Sequence, residues 1–244
     1  MNILILAAGQ STFNSQDESY PLCLTELDGV PLIERLIQSC HSISDANFIV
    51  ALREQDIHCY HLDNVVNLLA PDSHIIRIID NTKGAACTAL LAATYIDNDD
   101  GLLILNGNEI LDADFSAVLK DFNERKLDAG VVTFNSIHPR YSFVRLDTQG
   151  LVVEAAEKNP ISRLATVGFY WFARGNDFVR AVKSMIRKDA SVNDLFYICP
   201  ALNELVLEQV RIGTYTIEAC NYHPLKTERQ LIQFETAIDH KKSS

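Results

Sequence analysis

The chain is short of positive charge: 21 lysines and arginines face 32 aspartates and glutamates, for a formal net charge of -11. Such a surface has no field to attract nucleic acid or anionic lipid. Neither is expected as a partner, and any bound polyanion must be held by local donors. Also missing are a basic leader, a small-residue cleavage site and an apolar run long enough to cross a bilayer, which predicts a soluble, cytoplasmic protein. The six cysteines, Cys23, Cys40, Cys59, Cys87, Cys199 and Cys220, form no C-x-x-C pair, and most lie in apolar surroundings. Buried reduced thiols are expected rather than zinc or disulfides. No repeat, low-complexity tract or linker interrupts the 244 residues, so one compact α/β domain over 1–244 is predicted.

What is present is alternation. Ile3 to Leu6 is a short apolar run ended by Ala7-Ala8-Gly9, and similar runs recur at Asn47 to Leu52, Ile75 to Ile79 and Leu102 to Leu105. Helical patterns lie between them at Pro31 to Ser39, Asp63 to Leu69 and Ala85 to Tyr95. Strand and helix in turn predict right-handed crossovers and a parallel sheet. After Asn106, Asp114 is suited to cap a helix from Phe115 to about Glu124. Strand-like runs follow at Gly130 to Phe134, Ser142 to Leu146, Val152 to Ala156 and Thr166 to Phe172, an antiparallel or mixed group. Helices are expected at Asp177 to Arg187, Pro200 to Glu208 and Glu228 to His240, with a strand at Arg211 to Glu218.

In a parallel sheet the ligand lies beyond the carboxyl ends of the strands. Three loops fit that position. Ala7-Ala8-Gly9-Gln10-Ser11-Thr12 offers a close-approaching glycine and three hydrogen-bonding side chains, or else is only a tight turn. Asn81-Thr82-Lys83-Gly84-Ala85-Ala86-Cys87-Thr88 has a backbone able to lie flat against a base or sugar, or is a helix start with Thr82 as its cap. Asn106-Gly107-Asn108-Glu109 is a strand-end turn suited to face a ligand. Asp112-Ala113-Asp114 resembles a D-x-D metal clamp, with helix capping by Asp114 as the alternative. Glu157-Lys158, after a strand-like run, is suited to grip a sugar hydroxyl and a phosphate, or is an exposed ion pair.

Together these segments resemble the sugar-phosphate nucleotidyltransferases, the family that includes glucose-1-phosphate thymidylyltransferases. Its patterns L-A-A-G-x-G-T-R, P-K-x-L, G-x-P-L-I-E, a strand-end G-D, an E-K and G-x-Y pair and a late G-T-P-E-D-L run along nearly the whole chain. The best matches are Leu6 to Gly9, Gly29-Val30-Pro31-Leu32-Ile33-Glu34, and Glu157-Lys158 with Gly168-Phe169-Tyr170. Gly84 to Ala92 and Tyr141-Ser142-Phe143-Val144 resemble the capsule and surface-polysaccharide branch. The resemblance implies a Rossmann-like three-layer sandwich with a mostly parallel mixed sheet, of the GT-A-like type. It implies a nucleotide-binding half, 1–110, and a sugar-phosphate-binding half, 111–244. Ala7, Ala8, Gly9, Gln10, Ser11, Thr12, Lys83, Gly84 and Gly107 would then meet the nucleotide, and Glu157, Lys158 and Gly168 the sugar phosphate. The reaction implied joins an NTP to a sugar phosphate, releasing pyrophosphate with magnesium, in a protein that is often a homo-oligomer.

The chain departs from the pattern where charge matters. Ser11 and Thr12 stand for the loop's second glycine and arginine, Leu22 for the lysine of P-K-x-L, and Asn108 for the aspartate of G-D. Pro224-Leu225-Lys226-Thr227-Glu228 stands where D-x-G-T-P belongs, with His223 one place away. Each lost transition-state contact removes on the order of 3 kcal/mol. Asn108 and Glu109 are left as the degenerate catalytic and metal candidates. Arg140, Arg163 and Lys83 are cations able to enter from other loops, or are surface charges. Three readings follow: a nucleotidyltransferase, a pseudoenzyme that binds without turnover, and a glycosyltransferase using Asp112-Ala113-Asp114.

Overall fold

Along β1 (Asn2–Leu6), Ile3 and Ile5 enter one apolar cluster and Leu4 another, all three without exposed surface. A strand buried on both faces belongs inside a sheet that helices cover on each side, and the computed structural model has that architecture. It describes residues 1–9 and 20–242, those after 236 by their backbone alone.

A 3-10 turn at Leu22–Leu24 leads to the hairpin of β2 (Glu26–Leu27) and β3 (Val30–Pro31), then to helix α1 (Leu32–Gln38). Asp28 and Gly29 close the hairpin with φ of 55° and 72°, the left-handed pair that a two-residue turn requires. β4 (Asn47–Arg53), α2 (Glu54–Tyr60), α3 (Leu62–Leu69) and β5 (His74–Ile78) follow. Next come α4 (Ala85–Leu90), α5 (Ala93–Ile96), β6 (Leu102–Asn106), the short β7 (Glu109–Leu111) and α6 (Phe115–Glu124). The remainder runs β8 (Ala129–Asn135), β9 (Ser142–Leu146), β10 (Val152–Glu157), β11 (Leu164–Phe172), α7 (Gly175–Arg187), α8 (Ile198–Leu207), β12 (Ile212–Thr216), β13 (Tyr222–Pro224) and α9 (Glu228–Lys242).

A nine-stranded sheet runs β10-β9-β11-β6-β1-β4-β5, with β8 paired to β11 and β12 paired to β8. Only β10 and β11 run against the other strands, so the sheet is mixed but mostly parallel. Helices α1, α3 and α6 pack on one face, and α4, α5, α7 and α8 on the other. Both clusters are dense in large apolar side chains, and burial of that surface is the main stabilising term. A two-stranded ladder, β7 with β13, stands apart from the sheet.

Several expectations change in the structure. The helix expected from Ala85 to Tyr95 is two, because the chain re-aims at Leu91 and Ala92 so that Ile96 enters the core beside α7. Helix α2 has no counterpart in the sequence reading. It starts with Glu54 and Asp56 in its first turn and ends at His61, whose φ of 53° lets one residue close α2 and begin α3. Thr82 does not cap α4: Gly84 holds that position, and the Thr82 hydroxyl bonds to Thr88 Oγ1 at 2.6 Å. All six cysteines are free, but only Cys23, Cys40 and Cys199 are buried, whereas Cys59 and Cys220 are exposed. Burial pushes the thiols of those three up to about 12, which leaves them protonated and inert.

Candidate functional site

A cleft of about 800 Å³ opens beyond the carboxyl ends of β1, β4, β5 and β6. It forms where β11 changes neighbour, from β6 along Phe169–Phe172 to β9 at Ala165. A break in strand pairing at a strand end leaves backbone unclaimed by the sheet, which is where α/β proteins place ligands.

One end of the cleft is built from the first three strand ends. Ala8 and Gly9 line it, while Ala7 is buried and donates its N–H to Ala51 O at 3.0 Å. Gln10, Ser11 and Thr12 lie outside the described residues. Gly84 lines the wall with φ of 105°, and a Cβ there would meet the carbonyl oxygen of Phe196 at 2.5 Å. Lys83 is exposed and its side chain is not part of the wall. Gly107 has a packing role: a Cβ would lie 2.6 Å from Leu6 O, so glycine lets β1 and the loop after β6 touch. Arg53, at the end of β4, also lines this end, with its guanidinium held to both carboxylate oxygens of buried Asp56 at 2.7 and 2.8 Å.

The middle of the cleft carries Asn108 and Glu109. Glu109 is 2 % exposed, and its Oε2 accepts a hydrogen bond from the Tyr222 hydroxyl at 2.7 Å. Its Oε1 and the Asn108 Oδ1 are buried with no hydrogen-bond partner. Gly168 makes room for this arrangement, since a Cβ there would lie 1.7 Å from Glu109 Oε1 and 2.2 Å from Asn106 Nδ2. Burial raises the Tyr222 phenol well above its ordinary value, and the neighbouring Glu109 carboxylate adds to the effect. The phenol therefore stays a donor.

At the far end, Glu157 accepts a short hydrogen bond from Ser142 Oγ. Burial raises its carboxyl above the usual carboxylate value, against the hydrogen bond and the positive charges of Lys158 and Lys226. Lys158, in the left-handed conformation at φ 54°, stands at the rim and donates to the Tyr197 hydroxyl at 2.8 Å, while Tyr197 lines the cleft. Arg140 lines the cleft and donates to the Tyr141 hydroxyl, with its guanidinium 4.7 Å from that ring's centroid. Arg163 is exposed and lies outside the wall. Lys226, seen in the sequence only as a misfit in a terminal motif, also lines the cleft.

Two candidates point elsewhere. Asp114 Oδ1 accepts from Ser116 N at 3.0 Å and caps α6, and Asp112 pairs with His223 at 3.2 Å. Neither lines the cleft, so Asp112-Ala113-Asp114 is not a clamp on its contents. Leu22, at the place of the expected lysine, is 7 % exposed and packed in the core.

The residues do not fit the resident magnesium implied by the sequence. Among the described residues no three His, Cys, Asp or Glu side chains converge as a metal site. The strand end offers one amide oxygen and a carboxylate half committed to Tyr222, and Lys226 brings an ammonium to the same cleft. Magnesium is usually held by one or two carboxylates together with waters and substrate phosphates, and among the described residues the only carboxylate at this strand end is Glu109, half committed to Tyr222. Magnesium arriving on a triphosphate is substrate and would bring its own phosphate oxygens.

The sheet order, the helical layers and a cleft at the strand ends define the nucleotide-diphospho-sugar transferase fold. The structure superposes on a nucleoside-diphosphate-sugar pyrophosphorylase from Vibrio cholerae RC9 with a TM-score of 0.79 at 21% identity, covering 97% of this chain and 100% of that one. It also superposes on a UDP-glucose pyrophosphorylase complexed with UDP-glucose, with a TM-score of 0.77 at 15% identity and 98% of each chain covered. Residues 18–212 match the family described as Nucleotidyl transferase, and the chain belongs to that family. It is similar to the Bifunctional protein GlmU of Methanococcus aeolicus, at 25% identity over 216 residues, which cover 85% of this chain. The chain spans about half of that relative, 47% of its length.

Proposed function

We propose that the protein transfers a nucleotidyl group from an NTP to a sugar phosphate, or a similar phosphorylated small molecule, with release of pyrophosphate, as a step in surface-polysaccharide precursor synthesis in the cytoplasm. The observation that carries this reading is one cleft that joins a backbone-lined end at Gly9 and Gly84 to a carboxylate end at Glu157, with a volume of about 800 Å³. That size suits two small ligands side by side.

In the proposed step a phosphate oxygen of the sugar phosphate attacks the α-phosphorus of the NTP. A new P–O bond forms, the bond to the β-phosphate breaks, and pyrophosphate leaves with the electron pair. The protein's part is alignment and charge neutralisation. Gly9 and Gly84 let backbone approach the nucleotide, Glu157 accepts a sugar hydroxyl, and Lys158, on Tyr197, stands at the phosphate side of the rim. Release of pyrophosphate in the presence of magnesium, measured for CTP, UTP, dTTP, GTP and ATP against a panel of sugar and polyol phosphates, tests the reading. Turnover with one pair supports it, and silence with every pair overturns it.

A second reading, binding without turnover, is favoured by Leu22 in the core and by the amide at Asn108. Calorimetric binding of a nucleotide or sugar phosphate without pyrophosphate release is its signature.

A further inference from the structure

The ladder of β7 and β13 does more than tie the chain's end to the strand end. Pro224 is paired with Glu109, and Leu225 donates its N–H to Asn108 O at 2.9 Å while its side chain is fully buried. With Leu225 in the core, the next residue emerges on the opposite side, and Lys226 lines the cleft. Its own N–H is held by Gln230 Oε1 at 2.8 Å, at the start of α9. A backbone fixed on both sides places this lysine beside Asn108.

The charges around the cleft sort by function. Arg53 is bound on two sides by the Asp56 carboxylate, and Lys158 rests on Tyr197 at the rim. Besides Arg53, the cationic side chains in the wall among the described residues are Arg140, which donates to the Tyr141 hydroxyl, and Lys226. Along the same wall are oxygens that accept: Glu157 and, buried without a partner, Asn108 Oδ1 and Glu109 Oε1. Accepting oxygens repel a phosphate and attract hydroxyl or amine hydrogens. An ammonium supplies three donors and a compact positive charge to phosphate oxygens.

We infer that Lys226, with Arg140, is the phosphate clamp of this cleft, and that it holds a phosphorylated ligand without a resident divalent cation. The inference rests on the sugar-phosphate reading of the cleft given above and assigns the charge role within it. The hydroxyl groups of the ligand then fall to Glu157 and to the Asn108–Glu109 strand end.

The test is isothermal titration of the full chain with α-D-glucose 1-phosphate and with inorganic pyrophosphate, each in EDTA and in magnesium. The wild-type chain is expected to bind at least one probe in EDTA. Lys226→Ala should weaken that binding roughly tenfold or more, Lys226→Arg should recover most of it, and Lys120→Ala, on the distant helix α6, should leave it unchanged. Lys226 is exposed, so its loss does not threaten the fold, and circular dichroism checks this. Binding only after magnesium is added, equal binding by Lys226→Ala, or no binding in either condition overturns the inference. Pyrophosphate release is scored separately. Turnover with metal-dependent binding keeps the enzyme reading and removes the clamp, whereas Lys226-dependent binding without turnover keeps the clamp and removes the enzyme.

Discussion

The hydroxyl of Tyr222 donates to Oε2 of Glu109 across 2.7 Å, linking residues 113 positions apart in the chain. The bond fastens β13 to β7 and turns the second carboxylate oxygen, Oε1, toward a region where it has no partner. Removing the phenol hydroxyl leaves a buried carboxylate without its donor. Tyr222→Phe is therefore expected to lower the unfolding free energy by about 1–3 kcal/mol, read from urea denaturation, and to weaken any ligand that depends on the β7–β13 ladder. An unchanged denaturation midpoint would show that the bond contributes nothing.

Gly168→Ala should be worse than a surface change. The added methyl meets Glu109 Oε1 at 1.7 Å and Asn106 Nδ2 at 2.2 Å, so both side chains must move. A loss of about 1–3 kcal/mol and loss of phosphate-ligand binding are expected together. Full binding in a folded Gly168→Ala protein would separate Glu109 from the site.

Leu22→Lys bears on how the departures from the family pattern are read. Leu22 is packed in the core and does not line the cleft. An unpaired ammonium in that position is expected to destabilise the fold by several kcal/mol, seen as a fall in Tm, with no gain in pyrophosphate release. Asn108→Asp has the opposite character: it adds a carboxylate next to Glu109 and should make ligand binding depend on magnesium, measured by calorimetry in EDTA and in magnesium. Metal-independent binding by Asn108→Asp would show that Asn108 does not face the ligand.

The Glu157 carboxyl gives a pH signature. Burial raises it above the ordinary value of 4.5, more than Ser142, Lys158 and Lys226 lower it. Between its unfolded and folded values the native state holds the extra proton. The stability it contributes is thus complete below 4.5 and is lost as pH rises through the folded value. Glu157→Gln should flatten that part of the stability profile and leave the protein no less stable at neutral pH. A wild-type profile that rises with pH over this window, and loses the rise in Glu157→Gln, would reverse the assignment.

Asp114→Ala removes the side-chain cap of α6 and is expected to cost about 1 kcal/mol of stability without altering ligand binding. A loss of binding in a folded Asp114→Ala protein would revive the metal-clamp reading of Asp112-Ala113-Asp114.

Much of the architecture was legible because its signals are local. Ile3 to Leu6 reads as a doubly buried strand from four residues, Pro31 marks the start of α1, and Asp114 marks the cap of α6. Helix α2 was missed because Glu54–Tyr60 carries little apolar periodicity and is anchored by the Arg53–Asp56 pair. Strands β7 and β13 were missed because three residues carry no period and their pairing joins distant segments. At the site, Gly84, Asn108, Glu109 and Glu157 were found as strand-end residues of suitable chemistry, and the structure brings all four to one cleft. Ser142 and Tyr197 were not singled out as site residues, since nothing in a lone serine or tyrosine marks what it faces.

The sequence by itself determined the class of fold and the strand-end loops, because these follow from residue type and short-range pattern. Tertiary structure decided how the cleft is assembled. It buried Leu22 in the core, left Glu109 Oε1 without a partner beneath Gly168, and carried Lys226 beside Asn108 through a ladder between distant segments. Those outcomes depend on which distant segments meet, and long-range pairing is set by the packing of the whole chain rather than by any short stretch of it.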